Sequence, residues 1–299
     1  MLCIALDLHR LCFAKIGCIS AMKAKTSCFA LHCTRFALSL QKMRALTWNR
    51  HGRCSLKPFH AMTYILILAV ALLPALLLLA YIYKRDPSPE PLPILKKAFL
   101  YGMMICLPVS VAEMILQFGI FGSDSSTPTS FVGAAVESFF VAALVEESFK
   151  LLALWYILRH NSFFDEHFDG IVYAVFVSLG FAAIENVMYL FSNSSDWFSV
   201  GIARAFLAVP GHYAFGVLMG YYYSMYHFVS RTSYNRIMIL AAPIIAHGIY
   251  DTIAFSMGLS EGLASVMMVL LCVFCYYLQK NAQRNLTAHI NRDNNPFSA

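Results

Sequence analysis

The chain has 299 residues, 59% of them hydrophobic and 13% charged, with a mean hydropathy of +0.63, and a soluble globular domain does not reach that apolar content. Its formal charge of +6 is unevenly placed: residues 1–61 carry ten Lys/Arg against Asp7 alone, while from Met62 onward 12 Lys/Arg face 15 Asp/Glu, a net of −3. No basic face remains for nucleic acid, which is excluded as a partner, and the lipid bilayer is the expected solvent.

Residues 1–61 hold six of the nine cysteines and no sustained apolar run. The segment is basic and acid-poor in the manner of a transit peptide, but Met62 opens directly into an apolar run. It is therefore read as a non-native or disordered extension produced by an over-long start assignment, in preference to a targeting segment, and is set aside from fold reasoning.

From Met62, seven stretches are long enough to cross a hydrocarbon core that needs about 20 residues: 63–83, 98–121, 131–157, 170–192, 199–226, 237–257 and 262–279. Lipid offers no partner for an unpaired backbone amide, so each is expected as a helix. The fold class is thus all-α, a polytopic transmembrane bundle spanning 62–282, followed by a cytoplasmic tail, 283–299. Lys84, Arg85, Lys96, Lys97, Arg159, Arg231, Arg236, Lys280, Arg284 and Arg292 fall in alternate connections, whereas GSDSSTPTS, SNSSDW and GLSEG carry no Lys or Arg. The positive-inside rule then places the Met62 end outside and the C-terminus in the cytoplasm. Pro210-Gly211 is the expected kink or break in the fifth span.

An ionisable group near a helix centre costs on the order of 2.5–3.5 kcal/mol on insertion scales, so each needs a partner or a purpose. The third span contains Glu146, Glu147 and Lys150. Glu146 and Lys150 share a face at i, i+4, which leaves Glu147 needing a partner from another helix; two adjacent carboxylates in low dielectric suit a general acid or base. The fourth span carries Phe181, Glu185 and Asn186 beside the small residues Gly180, Ala182 and Ala183, which let a neighbouring helix approach. The fifth carries His212, and the sixth His247 and Asp251 at i, i+4, where Asp251 can fix the imidazole tautomer or act as a second ligand. By residue count Glu146, Glu147, His212 and His247 lie near mid-membrane, whereas Glu185 sits higher, toward the outer leaflet. Glu113, Glu137 and Arg204 are less telling, and Glu137 and Arg204 are expected to pair. The CxxC formed by Cys272 and Cys275 stands alone within a span and makes no zinc site.

Carboxylates and imidazoles together supply what amide hydrolysis needs, a base for water and donors for the oxyanion. They would equally bind a metal: Glu185, His212, His247 and Asp251 are sufficient zinc ligands, yet no HExxH is present, so a divalent cation such as zinc stays open. No GxSxG occurs and no Ser or Cys has an evident base beside it, which disfavours acyl-enzyme chemistry. A proton- or cation-coupled transporter and a non-catalytic membrane scaffold are the competing readings.

Residue by residue, the pattern resembles the PrsW family of intramembrane proteases, related to the CAAX-prenyl-protease and bacteriocin-processing superfamily. Glu146-Glu147-x-x-Lys150 is similar to its EExxK, Phe181-x-x-x-Glu185-Asn186 to its FxxxEN, His212 to its single histidine and His247-x-x-x-Asp251 to its HxxxD. Asp169-Gly170-Ile171-Val172-Tyr173, Arg204 and Asp86 also look familial. The resemblance runs from about Met62 to about Gln279. It implies hydrolysis of peptide bonds in membrane-anchored proteins, with anti-sigma-factor-like regulators as the substrate class. It also implies Glu146, Glu147, His212 and His247 as catalytic residues, supported by Lys150, Glu185, Asn186, Asp251, Phe181 and Arg204, in the bacterial cytoplasmic membrane. Glutamic-type and metal-dependent mechanisms are both compatible with it.

Overall fold

The computed structural model describes residues 58–122 and 128–294, all helical apart from short connections. The expected extension 1–61 lies outside the described residues except for its last four, which open the first helix. The helices are α1 (Pro58–Arg85), α2 (Leu92–Phe121), α3 (Phe131–Val136), α4 (Leu144–Leu158), α5 (His167–Ser192), α6 (Trp197–Phe206), α7 (Ala208–Ser224), α8 (Ser233–Ser256) and α9 (Glu261–Asn294). A π-helical turn, Glu137–Ala143, joins α3 to α4, and a second, Met225–Val229, follows α7.

Among the described residues, six helical segments are long and apolar enough to cross a membrane: α1, α2, α5, α6 continuing through α7, α8 and α9. The remaining expected span is divided by the π turn, so no single α segment in it reaches that length. The helical run 131–158 is nevertheless unbroken, and at about 1.5 Å per residue it is roughly 40 Å long.

The fifth span does break, but at Leu207, three residues before the Pro210 that causes it. Pro210 has no N–H for the carbonyl of Phe206, and its ring excludes that carbonyl, so α6 ends there and α7 begins with Pro210 in its first turn. Within the segment expected as a tail, residues 283–294 continue α9, and Gln283 accepts a hydrogen bond from Tyr81 at 3.0 Å.

Helix α5 is the hub. It is buried along nearly its whole length and packs against α1, α2 and α7. Two glycine contacts allow this: a Cβ on Gly102 of α2 would lie 2.0 Å from the Val177 carbonyl oxygen, and one on Gly220 of α7 would lie 2.3 Å from that of Gly170. Backbones approach this closely only where side chains are absent. The hub is fixed at its N-terminus by charge. Asp293 at the end of α9 accepts from the amides of His167 and Phe168 at 2.8 and 2.9 Å, and from His167 Nδ1 at 2.7 Å; Asp169 accepts from the amides of Asp165 and Glu166. The orphan donors of the helix start thus meet carboxylates: the Glu166, His167 and Phe168 amides as above, and the Asp169 amide at the Glu166 side chain.

The α1–α2 connection closes over the same end. Asp86 accepts from the Ser88 amide at 3.0 Å, and Glu90 accepts from the Tyr173 hydroxyl. Burial pushes Asp86 up from 3.8 to about 6 and Glu90 up as well. Because the raised value belongs to the folded state, the folded chain binds more protons than the unfolded one between pH 3.8 and about 6. Stability therefore falls as pH rises through that window and levels off above it. Asp86→Asn keeps the acceptor for Ser88 and removes the buried charge, so it is expected to melt higher than wild type at neutral pH and to show a flatter pH dependence. Parallel melting curves for the two proteins across the window would refute this.

Candidate active site

Four helices and a short fifth bring their polar residues to one place. Near the start of α4, Glu146, Glu147 and Lys150 are all buried, Glu147 and Lys150 to within 1% of completely. The π turn immediately before them is the kind of helical irregularity that recurs at functional sites.

Lys150 lies at the centre of the cluster. Its Nζ donates to Glu147 Oε1 at 2.7 Å, to Glu146 Oε2 at 3.1 Å and to His212 Nδ1 at 3.1 Å, using all three of its protons. It also lies 4.4 Å above the Phe181 ring, a cation–π contact that gives this phenylalanine its place in the site.

These contacts set the histidine tautomers by donor accounting. An ammonium cannot accept, so His212 Nδ1 accepts from Lys150 and its Nε2–H donates to Glu185 Oε2 at 2.8 Å. The Ser178 hydroxyl donates to the His212 carbonyl at 2.6 Å, binding α7 to α5 behind the ring. His247 faces carboxylates on both sides, Glu147 Oε1 at 2.9 Å from Nδ1 and Asp251 Oδ2 at 3.2 Å from Nε2. It can satisfy both only as the imidazolium. Phe215 stacks on it at 4.6 Å with planes 18° apart and holds its orientation.

Arg204 of α6 closes the far side. Its Nη2 donates to Glu185 at 2.6 Å and its Nε to Asn186, whose own Nδ2 donates to the Ala71 carbonyl of α1. The guanidinium lies 3.9 Å over the Tyr189 ring. The expected pairing of Arg204 with Glu137 is overturned: the break at Leu207 directs α6 toward α5, where Glu185 is the carboxylate within reach.

All ten residues expected at the site therefore form one connected network. Four contributors were not foreseen, Phe215, Ser178, Tyr189 and the Ala71 carbonyl, and none carries a sequence signal without knowledge of which helices pack together. Gly248 joins them: a Cβ there would meet the Phe139 ring of the π turn at 2.6 Å, so α8 and the π turn touch directly beside His247.

The charges do not cancel. Glu146, Glu147, Glu185 and Asp251 face Lys150, Arg204 and the His247 imidazolium, a formal −1 in a low-dielectric setting. One further proton would neutralise it, and a divalent cation would more than offset it. The donor set suits a cation: ligand atoms of Glu146, Glu147 and His212 lie within 4.8 Å of one another, and Glu147 Oε2 is buried without a hydrogen-bond partner. This trio shares only His212 with the Glu185, His212, His247 and Asp251 set expected from sequence. Lys150 Nζ touches all three members, so an ion bound through His212 would have to displace the ammonium from Nδ1, whose single lone pair it already occupies.

The model of the PrsW family, described as intramembrane metalloproteases, matches residues 90–278. The protein named Protease PrsW from Oceanobacillus iheyensis is 35% identical over 73% of this chain and 97% of its own length. Those from Clostridioides difficile and Bacillus subtilis are 37% and 32% identical, over 77% and 82% of their lengths. No solved structure matches.

Arg204→Ala leaves Glu185 buried with His212 as its remaining ionisable partner. Removing one member of a buried pair costs about 3–5 kcal/mol, so a marked loss of thermal stability in detergent is expected. Adding Glu185→Gln should recover part of it. Strictly additive losses in the double-mutant cycle would show that the pair is not coupled.

Proposed function

Because the chain belongs to the PrsW family of intramembrane metalloproteases, we propose that its buried network hydrolyses a peptide bond of a membrane-anchored protein, with Glu146 as the base that activates water. The observation that carries this reading is the division of labour between the two adjacent carboxylates. Glu147 Oε1 already accepts two charge-assisted hydrogen bonds, from Lys150 and His247, and is a poor place for another proton. Glu146 has the single 3.1 Å bond to Lys150 and a distant His247 at 4.0 Å. Glu147 anchors Lys150 and His247, and Glu146 does the proton transfer.

Water attacks the scissile carbonyl carbon while Glu146 takes its proton, and negative charge moves to the carbonyl oxygen. The donor best able to meet that oxygen is His247 Nε2–H, whose 3.2 Å bond to Asp251 is the longest made by either imidazole. The protonated Glu146 then returns its proton to the leaving amine as the C–N bond breaks. Asp251 and Arg204 are the most exposed members of the network, with side chains 15% and 13% accessible. The substrate therefore approaches from the α6–α8 edge, where loss of the Asp251 contact frees the His247 donor. A divalent cation, when bound, would be held by Glu146, Glu147 and His212 and would add Lewis-acid polarisation of the carbonyl.

The substrate class we propose is a single-span regulator of the anti-sigma-factor type. We also propose that the chain sits in a bacterial cytoplasmic membrane with its Lys/Arg-rich loops and C-terminus inside. In cells producing single-span reporters at matched membrane levels, Glu146→Gln should lower cleavage by about 10²–10⁴-fold, the usual contribution of a general base. Glu147→Gln should abolish it and also lower stability. If Glu146→Gln cleaves normally, the base is wrongly assigned; cleavage unaffected by either substitution would remove the site from catalysis. Metal analysis of the purified chain should find one equivalent of a divalent cation in wild type and none in Glu147→Gln, and a metal-free, fully active wild type would show that the network works without a cation.

A further inference from the structure

A cavity of about 260 Å³ lies away from the catalytic network, at the Lys/Arg-rich end of the bundle between the start of α2 and the end of α4. Lys97 and Ile94 line it from α2, and Tyr156, Arg159, His160 and Asn161 from α4 and the turn after it. Its two cations are held on rings, not by acids. Arg159 lies over Trp155 and Tyr156 at 4.8 and 4.5 Å, Lys97 over Tyr101 at 5.9 Å, and Tyr101 and Tyr156 meet edge to face at 5.4 Å. Among the described residues neither cation has a carboxylate within 4.0 Å. This contrasts with Lys150 and Arg204, which are fully paired.

The helix surfaces leading away from the cavity are apolar and exposed. On α2, Leu100, Met104 and Leu107 follow Lys97 along one face at helical spacing; on α4, Tyr156 and Leu152 precede Arg159 in the same way. Two cations at the membrane surface, each heading an apolar stripe, match the shape and charge of one amphiphile: an acidic headgroup in the cavity and hydrocarbon chains against the stripes.

We propose that this cavity is a binding site for an anionic glycerophospholipid, with the phosphodiester between Lys97 and Arg159 and with Asn161 and His160 supplying polar contacts. Cationic pockets between membrane helices are suited to such headgroups, each Lys or Arg contributing about fivefold in affinity. Arg159 ends the helix that carries Glu146, Glu147 and Lys150, about 13 Å along the axis from Lys150 by helical rise. A bound lipid therefore braces that helix from its far end. The assignment does not depend on the proteolytic reading.

Trp155, next to Arg159, makes the test direct. In the full chain carrying Trp48→Phe and Trp197→Phe, Trp155 is the only tryptophan. This protein is reconstituted in phosphatidylcholine bilayers doped with either phosphatidylglycerol or phosphatidylcholine brominated on the acyl chains, and quenching of Trp155 reports occupancy. Phosphatidylglycerol should be preferred by about tenfold or more, falling about fivefold for each of Lys97→Gln and Arg159→Gln. The charge-conserving pair Lys97→Arg and Arg159→Lys should keep most of the preference, and serves if the neutral variants fold poorly. Removing the same charge elsewhere on that end, with Lys84→Gln and Arg231→Gln, should change it little. Equal quenching by the two lipids overturns the proposal, as does an equal loss in the Lys84/Arg231 control, which would mean diffuse surface charge. Displacement of the lipid by inorganic phosphate would show a phosphate site in place of a lipid site and overturns it too.

Discussion

The structure turns on one ammonium group held where water cannot solvate it. Lys150 Nζ spends its three protons on Glu146, Glu147 and His212 and presents its remaining side to the Phe181 ring. An isolated ammonium buried in low dielectric is prohibitively costly, so every partner must be in position together. Two of the partners lie on its own helix, one on α7 and one on α5. The demand that this cation be satisfied therefore fixes how α4, α5 and α7 face one another. His247 extends the demand to α8, and Arg204 through Glu185 extends it to α6.

That requirement explains the packing around the site. Polar groups meet across helices only if backbones come close, and the contacts of Gly102 with α5, Gly220 with α5 and Gly248 with the π turn are where they do. The bulkiest packing residues near the site are aromatic: Phe181 beneath Lys150, Phe215 against His247 and Tyr189 beneath Arg204. Each presents a π face to a cationic or cation-capable group while filling volume. The site is thus polar at its centre and apolar one layer out, which keeps lipid and bulk water from competing with its hydrogen bonds.

Much of this was readable from spacing alone. The i, i+4 relation of Glu146 and Lys150 predicts their contact, and the same relation predicts His247 with Asp251; both are present. Apolar length placed the helices to within a few residues in the middle of the chain. What failed depended on partners from elsewhere. Arg204 could be located near the outer end of a helix but not matched to Glu185, because an element's neighbours are set by packing of the whole bundle. The break at Leu207 appears three residues from the proline that causes it, at the carbonyl the proline cannot satisfy. Residues 283–294 read as a tail because the apolar run ends near Gln279 and Arg284 and Arg292 follow it, yet Gln283 and Asp293 are residues that dock. The third span carried no sign of a π turn, since the turn preserves both length and hydrophobicity.

The distribution of charge among the helices also bears on how the site comes into being. Helix α4 carries its own counter-ion, so on entering the membrane it exposes a net charge of one, with the Glu–Lys contacts formed inside a single helix. Glu185 has no such partner on α5, and its partners come from α6, the Arg204 cation, and from α7, the His212 N–H. A single carboxylate in a membrane helix stays protonated or finds a partner, at a cost of a few kcal/mol until it does. Assembly of α5 with α6 and α7 removes that cost, and the same step delivers His212 to Lys150. Pairing of the Glu185 charge and assembly of the polar network therefore depend on the same helix contacts.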